Sequence, residues 1–112
     1  TLILSVAGYT KDNLTVTITG TPQILYTAPV NTNVVIESFT ASNNSTVNAS
    51  YGAYIASSTG AEKPQIPHKI VVWNENDLGI GIVNQIIPAG GSLRVECSAL
   101  TSIYFTVTGR EI

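Results

Sequence analysis

Leu93-Arg94-Val95-Glu96-Cys97 alternates apolar and charged side chains without a break. A period of two is the repeat of a β-strand, whose successive side chains point to opposite faces. Leu93, Val95 and Cys97 therefore face a core, and Arg94 and Glu96 face away from it. Leu14-Thr15-Val16-Thr17-Ile18-Thr19 repeats the pattern with threonine on the polar face. Both segments read as half-buried strands, and the rest of the chain is read around them.

Gln23 to Ala28 is a further strand, stopped by Pro29, which lacks the N–H a ladder needs. Val34 to Ser42 is another, but its parity switches: Val34 and Ile36 share one face, Phe39 and Ala41 the other. A β-bulge near Glu37-Ser38 reconciles the two halves. Asn43-Asn44-Ser45-Thr46 reads as a turn cluster. Ala49 to Ala56 is a strand with Tyr51, Ala53 and Ile55 on one face. Ser57 to Pro67, with Gly60, Pro64 and Pro67, reads as the longest loop.

Lys69 to Asn74 and Ile80 to Ile87 are strongly β in composition, with Glu75-Asn76-Asp77 as a solvated turn between them. Pro88-Ala89-Gly90-Gly91 reads as a tight hairpin turn into Leu93 to Cys97. Ile103 to Thr108 is the last strand, joined by Ala99 to Ser102 as a second hairpin connection. This makes seven or eight strands at a spacing of roughly 8–12 residues, the signal of a sandwich or barrel. No segment sustains an apolar period of 3.6. Residues 13–112 read as one domain. The preceding residues 1–12, with the apolar run Leu2 to Ala7, read either as an arm reaching a neighbouring subunit or as an edge strand of the same sheet.

Composition agrees. The chain has 112 residues, of which 11% are charged, against about 25% in ordinary soluble domains. Threonine (14), serine (10) and asparagine (9) fill the difference, and isoleucine plus valine reach 24 against 7 leucines. Stiff β-branched side chains suit a pleated sheet. A net charge of −2 with 5 unclustered cations leaves no electrostatic footprint for nucleic acid. No apolar run approaches the roughly 20 residues of a membrane helix. The opening Thr1-Leu2-Ile3 carries no basic stretch, so no secretory signal is expected.

The chemistry-bearing residues are few. His68 is the only histidine, and no serine–aspartate spacing around it suggests a triad. Cys97 is the only cysteine and lies on the apolar parity of its strand, as a small core side chain. Glu75 and Asp77 lack the ligands and the glycine of a calcium loop. Pro88 to Ser92 lacks the lysine of a phosphate loop. No catalytic, cofactor or metal site is expected. Trp73 with Tyr51 or Tyr54 is the one candidate sugar-binding surface, through stacking of aromatic faces on sugar rings.

Four segments carry a resemblance: Gln23-Ile24-Leu25-Tyr26-Thr27-Ala28-Pro29, the run Val34 to Asn43, Ile87-Pro88-Ala89-Gly90-Gly91-Ser92-Leu93, and Val107-Thr108-Gly109-Arg110-Glu111. Together they resemble a group of small tailed-bacteriophage virion proteins, over residues 20–112. The resemblance implies an all-β fold, an antiparallel β-sandwich of seven to eight strands, jelly-roll-like. It implies a non-enzymatic capsid decoration (cement) protein or head/tail appendage on the virion surface, assembled in the bacterial host cytoplasm, the decoration protein being the first expectation. Expected partners are the chain itself, as a homotrimer, and the major capsid protein. Leu2, Ile3, Leu4 and Tyr9 in the first segment, and Glu62, Lys63 and Pro64 in the Ser57 to Pro67 stretch, match no motif of that group and are the candidate assembly contacts. The alternative is a receptor- or glycan-binding module of a tail fibre or baseplate, using Trp73, Tyr51 and Tyr54.

A surface poor in Lys, Glu and Asp supports assembly on independent grounds. Desolvating threonine, serine and asparagine costs less than desolvating charge, and interface centres are depleted in charge.

Overall fold

The computed structural model describes residues 2–3, 9–15, 21–99 and 103–112. Among them, ten strands and no helix form: β1 (Leu2–Ile3), β2 (Tyr9–Thr15), β3 (Gln23–Thr27), β4 (Val34–Asn43), β5 (Ala49–Ala56), β6 (Glu62–Val71), β7 (Asn76–Asp77), β8 (Ile86–Ile87), β9 (Ser92–Cys97) and β10 (Ile103–Glu111). They make two sheets. In the first, β10 lies between β4 and an edge formed by β1 and β2, while β7 and β8 pair with the far side of β4. The second runs β3-β9-β5-β6. Every pairing among the described strands is antiparallel.

The sheets face each other as a β-sandwich, and the alternation read from the sequence sets what lies between them. Leu93, Val95 and Cys97 are buried, while Arg94 and Glu96 are not. On β10, Ile103, Phe105 and Val107 are buried and Tyr104, Thr106 and Thr108 half-buried. Phe39, Tyr51 and Phe105 meet at the centre with ring centroids 5.7–5.9 Å apart, the spacing of favourable aromatic pairs.

The expected bulge is present. Thr108 pairs with Ser38 but Gly109 with Ile36, so Glu37 is the extra residue and the inward parity changes across it. The Leu14 to Thr19 strand is described only to Thr15, within β2; 16–19 lie outside the described residues.

Several expectations are corrected. The Ser57 to Pro67 stretch is not one loop, because β6 begins at Glu62 and runs to Val71. Its prolines are tolerated because β6 is the outer strand of its sheet, so one side of its backbone has no ladder to complete. Lys63, Pro64, Pro67 and Lys69 along it discourage pairing with a foreign strand. The Lys69 to Asn74 strand ends at Val71, and Asn74 turns the chain with φ of 63°.

Ile80 to Ile87 is mostly a turn. Ile82 and Val83 N–H both bond to Gly79 O, and strand returns only at Ile86–Ile87. The run is apolar because Ile82 and Ile87 are buried in the core, a need that a strand and a buried turn share. Neither hairpin flanking Leu93 to Cys97 exists. β8 and β10 lie in the first sheet and β9 in the second, so both connections cross between sheets. Pro88 to Gly91 does turn tightly, with Gly91 N–H on Pro88 O at 2.8 Å. Gly91 also packs so closely on Ala56 O that a Cβ there would sit 2.3 Å from it.

Candidate functional site

The outer face of the first sheet is built from the polar parity of β4 and β10. Register places Ser42 beside Tyr104, Thr40 beside Thr106 and Ser38 beside Thr108. None of these six side chains is charged. Ser38 Oγ and Thr108 Oγ1 share a hydrogen bond of 2.5 Å. At the end of the row Arg110 donates to Glu37, so these two charges neutralise each other. Exposed ion pairs of this kind contribute little to stability.

An apolar ridge borders this face. Leu78 is 60% exposed and Ile80 88%. With Glu37, Ser38, Phe39, Thr40, Val83 and Asn84 they line a groove of ≈ 400 Å³. Gly79 holds the ridge in place: it has φ of 61°, and a Cβ there would lie 2.3 Å from the Phe39 ring. Asp77 fixes the ridge's start. Its Oδ2 accepts from Tyr51 Oη at 2.5 Å and from Gly79 N–H at 3.1 Å. Asp77 is therefore not part of a solvated turn; Asn76–Asp77 pair with Ser42 and Ala41 as β7. Burial, with the bond to Asp77 and its charge, pushes the Tyr51 hydroxyl far above the usual tyrosine range.

Asn43 ties the two sheets at the end of β4, two residues beyond the Ala41 that pairs with Asp77. It is 1% exposed, and its Nδ2 donates to Val47 O and Val71 O at 3.0 Å each. Its Oδ1 accepts from Ser45 N–H and Ser45 Oγ, which makes the expected turn at 43–46. A buried amide is stable when its hydrogen bonds are met in this way.

The residues expected from sequence are dispersed. Glu62, Lys63 and Pro64 are exposed on β6, where Glu62 accepts from Arg94 Nη1 at 2.8 Å. Leu2, Ile3 and Tyr9 lie on β1 and β2, both paired to β10; Leu4 lies outside the described residues. The sugar-binding trio does not form. Tyr51 is 2% exposed at the core centre, because its parity on β5 points between the sheets. Tyr54 faces outward, and its hydroxyl donates to Glu96 Oε1 at 2.7 Å. Trp73 is 52% exposed beyond the end of β6, beside Asn48 rather than Tyr54.

Pairing of β5, β6 and β9 brings together a group that no spacing in the chain suggests. Ser50, His68, Glu96 and Ser98 surround one depression on the outer face of the second sheet. His68 donates to and accepts from none of these side chains, so no nucleophile–base pair is formed. Cys97 lies beneath, buried, with its thiol pushed up by that burial. Among the described residues no three His, Cys, Asp or Glu side chains cluster as a metal site. No described helix is long and apolar enough to cross a membrane. The chain matches no family model, no curated protein and no solved structure.

Proposed function

We propose that this chain is a non-enzymatic structural subunit of a tailed-bacteriophage virion: a capsid decoration protein that self-associates as a homotrimer and binds neighbouring major capsid proteins. The observation that carries the reading is the uncharged face of Ser38, Thr40, Ser42, Tyr104, Thr106 and Thr108, continuous with the exposed Leu78–Ile80 ridge. A free monomer gains solubility from surface charge. A rigid apolar ridge beside hydroxyl groups is instead the composition of an interface centre. Many copies on one particle need only a small interface each.

The strand order supports a jelly-roll reading of the sandwich. Successive strands cross between sheets at β2–β3, β3–β4, β4–β5, β6–β7, β8–β9 and β9–β10, and β5–β6 is a direct hairpin. Two interleaved four-lane sheets of this kind are the pattern of a double Greek key.

Immunogold electron microscopy of particles carrying the chain tests the reading. Dense labelling over the shell is expected. Replacing Leu78 and Ile80 by serine should abolish labelling while the protein stays folded. Labelling confined to the tail would establish the tail module instead, and the absence of labelling on any particle would reject both.

A further inference from the structure

The depression formed by Ser50, His68, Glu96 and Ser98 continues into a second, lined by Asn48, Ser50, His68, Ile70 and Ser98. Their volumes are ≈ 160 and ≈ 260 Å³, and both are open to solvent. The result is a trough along the outer face of the second sheet. It does not overlap the uncharged face or the apolar ridge.

Its walls carry hydrogen-bonding groups left open to a ligand. Glu96 Oε1 is taken by Tyr54, and Oε2 has no partner among the described residues. Asn48 Oδ1 accepts from Trp73 N–H, which leaves Nδ2 free to donate. Ser98 Oγ accepts from Ser50 N–H, and its own proton is free to be donated. Among the described residues nothing engages the Ser50 hydroxyl or either ring nitrogen of His68. Gly52 leaves room for the Tyr54–Glu96 pair: a Cβ there would approach Glu96 Oε1, Pro67 O and Tyr54 Oη at 3.1 Å each.

The chemistry selects among ligands. The Glu96 carboxylate opposes a phosphate or another acid, and the nearest guanidinium, Arg94, is held by Glu62 and Ser92. Of the apolar lining residues Ala49, Tyr51, Cys97 and Ile70, only Ile70 is exposed, too little for a hydrophobic peptide. Vicinal hydroxyls, each both donor and acceptor, match a wall that alternates acceptor, donor and hydroxyl. Trp73, half exposed beside Asn48, stands past the trough's end.

We infer that this trough binds a neutral saccharide of hexose units, held mainly by His68 and Glu96. The inference rests on the second sheet alone and stands apart from the assembly reading. The intact chain is titrated with maltotetraose, cellotetraose, chitotetraose and, as an acidic comparison, tetragalacturonate, by NMR or calorimetry. At least one neutral tetrasaccharide should bind with Kd of about 1 mM or tighter, shifting the signals of Ser50, His68, Glu96 and Ser98. His68→Ala, at an exposed side chain without a hydrogen-bond partner among the described residues, and Glu96→Gln, which keeps the acceptor for Tyr54, should each weaken binding about tenfold. Tetragalacturonate should bind more weakly than the neutral chains. No neutral binding up to about 10 mM, tighter binding of the acid, or binding that ignores both variants would overturn the inference. Binding lost on Trp73→Ala but kept in both trough variants would also overturn it.

Discussion

The hydroxyl of Tyr51, in the second sheet, donates across the core to the carboxylate of Asp77, on the edge of the first, at 2.5 Å. One hydrogen bond thus joins the aromatic centre to the base of the exposed ridge. Tyr51→Phe keeps the ring contacts with Phe39 and Phe105 and removes only this bond. Asp77 is then left with Gly79 N–H. The variant should lose about 1–2 kcal/mol in urea denaturation. Equal stability of variant and parent would show that the link is not used.

Gly79 is expected to be the least replaceable glycine. Its φ of 61° disfavours any side chain, and a Cβ would strike the Phe39 ring at 2.3 Å. Gly79→Ala should cost about 2–4 kcal/mol. Gly60 also has a positive φ, 88°, but its nearest neighbour would lie at 3.9 Å. Gly60→Ala should cost only the backbone penalty, about 1 kcal/mol. Thermal unfolding of the two variants side by side checks the order.

Asn43→Ala removes two donors and an acceptor from a buried site, orphaning Val71 O inside the fold. A loss of about 2–3 kcal/mol is expected. Hydrogen exchange should quicken at Ser45 and Val47, the turn that Asn43 and Ser45 brace. A change confined to overall stability, with that turn still protected, would contradict the local role.

Alkaline stability should depend on Tyr54. Burial, the bond to Glu96 and the charges of Glu96 and Glu62 push its hydroxyl up to about 12 in the folded chain, against about 10 when unfolded. The folded state holds this proton more tightly. Its contribution is therefore complete below pH of about 10 and falls away as pH rises towards about 12. Tyr54→Phe should flatten the decline of stability over that window, followed by denaturant midpoints at stepped pH. An unchanged slope would refute the assignment.

Cys97 should resist thiol reagents in the folded chain. It is buried, burial raises its thiol, and Sγ donates to Ala99 O at 2.8 Å. Reactivity requires an accessible thiolate. Labelling should appear only with denaturant, at the midpoint of global unfolding; prompt labelling in buffer would place the sulfur at the surface.

How far the site was legible varies by residue. The parity switch in Val34 to Ser42 located the bulge at Glu37, because two inward sets out of phase need one extra residue between them. That bulge, with the outward threonines and serines, shapes the uncharged face. Leu78 and Ile80 were not legible as exposed. Their run is as apolar as a buried strand, and exposure depends on what another segment covers. Ser50, His68 and Glu96 lie on three strands, and sequence distance says nothing of their adjacency.

Local periodicity specified the strands at Val34 to Ser42, Ala49 to Ala56, Leu93 to Cys97 and Ile103 to Thr108, since a pleat repeats every two residues whatever the strand's partner; it read the buried turn after Gly79 as strand and β6 from Glu62 as loop. It placed Cys97 on the core parity, as found. Partner choice lay beyond it. Leu93 to Cys97 pairs with β3 and β5, not with the neighbouring β8 or β10. Antiparallel ladders between distant segments are selected by how two whole sheets close over a shared core. That closure put Tyr51 against Asp77 and opened the trough beside His68.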